Sequence, residues 1–314
     1  MNQTLNGIRR ILITILVAMG VGALFIVAIG ENPIDAYAAL FRGAFDGELR
    51  LGTTLAGFTP LLLTSIAFAV AAKAGAFNVG VEGEVFLGGI TAAYIGINWT
   101  FLPKPALYVA CFVGAMVVAA AWAFIPAVLR SYYNVNEVCT TILMNTVALY
   151  ITSYLVSGPM SAGTANAQSL PVTVRLYQFM KPSSVNVGIF IAAITDKYLF
   201  GINSHIIRMG RIQADGTDLV APAAFLNNFA TGLGSNGMLA ALIVKNNMVS
   251  TPFMAFFLAV LKSGAMGMQQ STGVPKSLVD TITAVFIIIA TMETAFQFTK
   301  KRKKKTEEKK EDKA

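Results

Sequence analysis

Asn78 and Glu82 stand four residues apart in Lys73-Ala74-Gly75-Ala76-Phe77-Asn78-Val79-Gly80-Val81-Glu82-Gly83-Glu84, a run with three glycines and two carboxylates between long apolar windows. Gly-interrupted apolar sequence frees backbone N–H and C=O groups, which is costly at membrane depth unless protein groups or a wet cavity receive them. The chemistry available is that of a polar lining. Asn78 and Glu82 project on one face if the backbone there is helical, and Phe77 beside them offers a ring on which a planar base can stack. Ionisable groups inside a membrane mark solute pathways. The same residues also fit a turn outside the bilayer, in which Lys73, Glu82 and Glu84 face water.

A second interruption, Gly232-Leu233-Gly234-Ser235-Asn236-Gly237, precedes the apolar stretch 238–244, with Asn246, Asn247 and Pro252 beyond it. Asn236 is its candidate lining group. Two Gly-broken segments in the two halves of a membrane chain point to an internal repeat with a site between them, although the residue-level match between these halves is weak. A third segment, Arg130-Ser131-Tyr132-Tyr133-Asn134-Val135-Asn136-Glu137-Val138, joins two apolar windows. Asn134 or Asn136 can cap the helix that follows, with Glu137 near its positive end. It reads equally as a capped loop or as a short contact helix for a partner protein.

Bond-making chemistry has no foothold. His205 is the only histidine and fits a loop residue better than a ligand; no H-E-x-x-H, G-x-S-x-G or G-x-x-x-x-G-K-[ST] pattern occurs. Cys111 and Cys139 sit inside apolar windows as small hydrophobes, so neither a disulfide framework nor a metal site is indicated. No catalytic residue, metal or cofactor is expected.

The elements that must position these groups follow from composition. Of 314 residues, 55% are hydrophobic and 13% charged, and the mean hydropathy is +0.63, which excludes a soluble globular domain. Apolar windows of about 20 residues, the length a helix needs to cross a ~30 Å hydrocarbon core, recur at 11–30, 51–72, 85–102, 105–129, 138–156 and 185–202. The sequence predicts an all-α integral membrane protein of about eight transmembrane helices, eight to ten in range. The first window has 20 uncharged residues, too many for a signal-peptide core. The segment 31–50 contains a short helical pattern suited to the membrane interface. Beyond Leu219, Lys245, Lys262, Lys276, Asp280 and Glu293 cut the apolar sequence into pieces shorter than a span, which predicts broken or re-entrant helices.

Residues 1–299 form the transmembrane domain in this reading, and 300–314 a cytoplasmic tail expected to be disordered. The tail carries nine Lys/Arg and four Asp/Glu, so it supplies +5 of the chain's net +8. It therefore bears on membrane orientation and anionic lipid rather than on nucleic acid. Arg9, Arg10 and 300–305 put both termini in the cytoplasm by the positive-inside bias, with 157–184 as an outer loop.

On these residues the chain resembles the permease subunits of bacterial ABC importers, in the branched-chain amino acid and ribose permease superfamily, and most closely the nucleoside-type branch. Ala74 to Glu84 is similar to that branch's A-G-x-F-N-I-G-x-E-G-Q signature, with Glu84 where the pattern has Gln. Asn136 to Asn145 is similar to N-E-V-x-x-T-I-x-x-N, Gly232 to Leu242 to G-F-G-x-x-G-I-A-V-A-L, and Gly264 to Pro275 to G-A-x-x-M-Q-x-x-x-G-V-P. The family's cytoplasmic loop R-A-V-G-x-N-x-x-A-A-x-x-x-G-I leaves only a trace at 207–215, and 219–231 is too short for the membrane helix that follows it in the family.

The resemblance implies a multi-pass protein of the bacterial cell (inner) membrane that moves nucleosides inward by alternating access. The partners implied are cytoplasmic ATP-binding subunits, a second permease subunit, an extracytoplasmic substrate-binding protein and the lipid bilayer. The translocation pathway would be lined by Phe77, Asn78, Glu82 and Asn236. ATPase coupling would fall to Tyr133, Asn134, Asn136 and Glu137, and to Arg208 and Arg211 in a second short helix at 204–217. Three alternatives stay open: a permease for a simple sugar, a proton-coupled secondary transporter using Glu82, Glu84, Asp280 or Glu293, and a shortened variant that no longer transports.

Overall fold

A computed structural model describes residues 16–164, 168–172, 176–180, 183, 185–195, 232–275 and 277–285. Arg208, Arg211 and the expected helix at 204–217 lie outside the described residues, as do Glu293, the tail 300–314 and the far parts of the windows at 11–30 and 185–202.

The described chain is helical apart from one small hairpin. The helices are α1 (Leu16–Ala28), α2 (Pro33–Phe45), α3 (Gly47–Lys73), α4 (Val81–Asn98), α5 (Lys104–Tyr133) and α6 (Glu137–Ser157). The strands β1 (Gln178–Met180) and β2 (Val185–Asn186) precede α7 (188–195), α8 (Leu233–Ile243), α9 (Thr251–Thr272) and α10 (277–285). Four of these helices, α3, α5, α6 and α9, are long and apolar enough to cross a bilayer, and the bent pair α1 and α2 makes a fifth if it is a single span. The helix boundaries of α3 to α6 fall within a few residues of the apolar windows, because charged residues or Asn, Gly and Pro end each window.

Two compact units divide the chain, one of residues 1–46 with 260–314 and one of 47–259. In the first, the Asn32 side chain accepts the Ile34 N–H at 3.0 Å and Pro33 opens α2, an N-cap followed by proline at the position that needs no donor. The short helix predicted after Glu31 is therefore present, bent 116° from α1. Its Ala36, Ala39 and Leu40 are buried together with Ala265 and Met268 of α9. Ile34, Phe41 and Phe45 remain exposed.

In the second unit α4 is the central helix, with 13 of its 18 residues buried. Val85, Phe86, Ile90 and Ile95 pack with Leu107 of α5, Ala148 and Val156 of α6, and Val172 from the chain beyond. α3 is 72% buried over its most apolar window, whereas α5 and α6 are only 22% and 17% buried. The latter pair turn apolar surface outward, as helices do when lipid is their solvent. At the end of the unit near Asn98 and Lys104, the expected outer loop contains a bridge between Ser161 and Ser169 and the antiparallel pair β1 and β2, in which Gln178 faces Asn186. The pairing of Val185 and Asn186 delays α7 to residue 188, three residues later than the apolar window suggests.

Candidate functional site

At the other end of the second unit α3 stops at Lys73 because Gly75 takes a left-handed conformation, φ +85°. The Gly75 N–H donates to Ala72 O at 3.2 Å and the Ala76 N–H to Ala71 O at 2.9 Å, a Schellman-type ending that favours glycine. Residues 76–79 are not helical. The Asn78 side-chain oxygen accepts the Gly80 N–H at 2.8 Å and turns the chain into α4, and its amide donates to Glu84 Oε1 at 2.8 Å. The i, i+4 face shared by Asn78 and Glu82 thus does not form, since one of the pair precedes the helix. Asn78 is buried, and so is Glu84, which occupies the position of the pattern's Gln.

The backbone groups released by this break are received by one face of α6. The Phe77 N–H donates to Glu137 Oε1 at 2.9 Å, and the Val79 N–H to Thr141 Oγ1 at 3.3 Å. Asn145 donates to the Val79 carbonyl at 2.9 Å and accepts the Gly83 N–H at 2.8 Å. Glu137, Thr141 and Asn145 are spaced by four and therefore align along the helix. Arg130 completes the joint by donating to Gly75 O at 3.1 Å and pairing with Glu137 Oε2. Backbone that would be expensive to expose in lipid is satisfied within the protein.

The turn between α5 and α6 is fixed by local chemistry. Asn134 closes α5 in the left-handed conformation, φ 54°, and Asn136 caps α6 by accepting from Val138 N–H at 2.9 Å and Cys139 N–H at 3.4 Å. At 30 residues α5 is about 45 Å long, longer than the hydrocarbon core, and Tyr132 and Tyr133 at its tip are exposed. Tyr133, Asn134, Asn136 and Glu137 are thus collected at the end of the unit that holds the helix break.

The second Gly-broken segment meets the first. Glu82 Oε1 accepts the Gly232 N–H at 2.8 Å, and Oε2 accepts the Ser235 N–H at 3.3 Å and its hydroxyl at 3.1 Å. A Cβ at Gly234 would collide with the Glu82 backbone, and one at Gly237 with Thr64, so α8 approaches α4 and α3 as closely as glycine permits. Thr64 donates to Leu233 O at 3.3 Å. The Asn236 amide donates to Gly232 O inside its own helix.

A cavity of about 310 Å³ opens beside the break, lined by Ala120, Ala123 and Ala127 of α5 with Phe77, Asn78 and Glu137. Phe77 is partly exposed and stands edge-on to Phe68 with ring centres 5.1 Å apart. The cavity thereby joins two expected pathway residues with one expected coupling residue. Among the described residues no group of three His, Cys, Asp or Glu is placed to hold a metal ion. Thr141, Asn145 and Ser235 were not singled out as site residues in the sequence. For the first two the signal is polar residues at four-residue spacing in an apolar helix; for Ser235 there is no local signal.

Residues 50–201, which contain the helix break and its whole α6 clamp, match the family described as branched-chain amino acid transport system / permease component. The chain is 30% identical to the glucose ABC transporter permease protein of Haloferax volcanii, over 88% of this chain and 85% of that protein. It is 28% identical to the guanosine ABC transporter permease protein of Bacillus subtilis, over 94% and 96% of the two chains. With the nucleoside ABC transporter permease protein of Lactococcus lactis it shares 27% identity over 91% of each. No solved structure matches.

Proposed function

The chain belongs to this family of ABC transport permeases, and from that premise we propose that it is the membrane-spanning subunit of an importer that moves nucleosides inward. It is a multi-pass membrane protein and not an enzyme; ATP hydrolysis belongs to a separate cytoplasmic subunit. The observation that carries the nucleoside reading is that permeases named for guanosine and for nucleosides align over 94% and 91% of the chain. A simple sugar is the second reading, favoured by the relative named for glucose. Both solutes are uncharged and rich in hydroxyl groups, so the base is what separates them.

In this mechanism an extracytoplasmic binding protein delivers solute, two permease subunits form the path, and both termini face the cytoplasm. The α5–α6 turn receives the ATPase movement through Tyr133, Asn134, Asn136 and Glu137, with Arg208 and Arg211 as a second contact. Glu137 touches the turn through Arg130 and the helix break through the Phe77 N–H, so a shift of the turn moves the segment that carries Phe77 and Asn78. Phe77, Asn78, Glu82 and Asn236 form or shape the pathway wall. The path alternates between outward and inward access as the turn moves.

The test is reconstitution of the purified complex in liposomes, with uptake of labelled guanosine measured against unlabelled nucleosides and glucose. Co-purification of an ATP-binding subunit, with uptake blocked by nucleosides and not by glucose, is the expected result. Competition by glucose alone would move the assignment to a sugar. Uptake that ignores ATP and collapses with an uncoupler would replace the ABC reading with a proton-coupled one, and assembly without any uptake would identify a transport-dead variant.

A further inference from the structure

Glu82 belongs to the first turn of α4, yet its carboxylate is aimed at a helix that begins 150 residues later. The first N–H groups of any helix have no acceptor within it. Here α8 has Gly232 at its N-cap, with no side chain to serve as one. The Glu82 carboxylate supplies the missing acceptors, taking Gly232 N–H with one oxygen and both Ser235 groups with the other. The positive ends of two helices therefore face the same negative charge, an arrangement in which the helix dipoles reinforce the hydrogen bonds. The missing side chain at Gly234 brings the α8 backbone against that of Glu82, so no room is left for a bound molecule between them. At 11 residues α8 is about 16 Å long, too short to hold its place by spanning the bilayer. α8 packs mainly along α3, where Gly237 meets Thr64 and Thr64 donates to Leu233 O, and Glu82 ties its first turn to α4.

We propose that Glu82 is a positioning residue that acts on transport through α8: it fixes the start of the half-helix against α4 and does not itself touch the solute. This rests on the permease reading above. α8 already places three donors on the Glu82 carboxylate, which has about four lone-pair sites, and Glu82 does not line the cavity, whereas Phe77 does. Glu82→Gln removes the charge and turns one accepting oxygen into an N–H2 donor, so either the Gly232 or the Ser235 donors lose their acceptor and the α8 wall beside the break loses its register.

The test uses the full complex in lipid nanodiscs and liposomes with Glu82→Gln, Ser235→Ala and the double variant. Hydrogen exchange over residues 232–236 should rise about tenfold in Glu82→Gln, the scale of one lost charge-assisted hydrogen bond, and less in Ser235→Ala, while exchange in α5 stays unchanged. Uptake should lose maximal rate by about fivefold or more with KM held within about twofold, and the double variant should be no worse than Glu82→Gln, because both changes cut one contact. A raised KM with unaltered exchange would make Glu82 a solute contact and overturn the proposal, as would additive losses in the double variant. Should Glu82→Gln fail to assemble, Ser235→Ala and the charge-conserving Glu82→Asp decide: exchange at 232–236 raised in both supports the proposal, and exchange unchanged in both overturns it. Absence of uptake by the wild-type complex would instead overturn the permease reading, and the exchange comparison would still decide whether Glu82 holds α8.

Discussion

The side chain of Asn145 ties Val79 in the helix break to Gly83 in the first turn of α4: its oxygen accepts the Gly83 N–H at 2.8 Å while its amide donates to the Val79 carbonyl at 2.9 Å. Asn145→Leu should destabilise the protein by about 1–3 kcal/mol, the cost of leaving buried polar groups without partners. Asn145→Asp, which keeps the acceptor and loses the donor, should cost less. Thermal unfolding in detergent measures both; a neutral Asn145→Leu would show that water or lipid headgroups can serve the joint.

Glu137 bonds both Arg130, at the end of α5, and the helix break through the Phe77 N–H. Glu137→Lys should insert in the membrane at wild-type levels yet lower solute-stimulated ATP hydrolysis by about tenfold, as loss of a charge-assisted contact of ~1.4 kcal/mol would. Stimulation equal to wild type would reduce the segment to a capped turn.

Phe77 distinguishes the two solute readings. Stacking of a base on an aromatic ring is worth about 1–3 kcal/mol, so Phe77→Ala should raise the KM for guanosine by about fivefold to a hundredfold and leave a sugar competitor's effect unchanged. Equal loss for both solutes would mean that the ring supports Phe68 rather than the solute.

In the first unit, a Cβ at Gly43 would lie 2.7 Å from the Gly267 backbone, whereas nothing lies within 4 Å of one at Gly20. Gly43→Leu should therefore force α2 from α9 at a cost of about 1–3 kcal/mol. Gly20→Ala should be neutral or stabilise α1 by about 0.5–1 kcal/mol. Melting temperatures of the two variants, compared with wild type, read the difference.

Orientation is tested by single cysteines at Ser161 and Thr306 in a chain lacking Cys111 and Cys139. An impermeant thiol reagent should label the first from outside the cell and the second only after the membrane is opened. Labelling of Thr306 from outside would reverse the topology.

How much of this was legible beforehand follows from the range of the forces concerned. Hydrophobic length, the Gly75 stop, the Pro33 start and the Asn136 cap act within one or two helical turns, so the sequence by itself determined where α3 to α6 run and that the chain is a helical membrane protein. It also marked the two glycine-broken segments and, through their wording, the permease family. The partners of those segments were decided only by tertiary structure. Glu82 finds its donors 150 residues away, and no local pattern encodes a contact at that separation. Asn78 looked like a partner of Glu82 on one helical face, but Gly75 and the Asn78–Gly80 turn remove the helix on which that spacing depends. Lipid adds the physical reason: where water is absent, backbone groups freed by a break need partners within the fold, and the packing of α6 supplies them for Phe77, Val79 and Gly83 as Glu82 does for the start of α8.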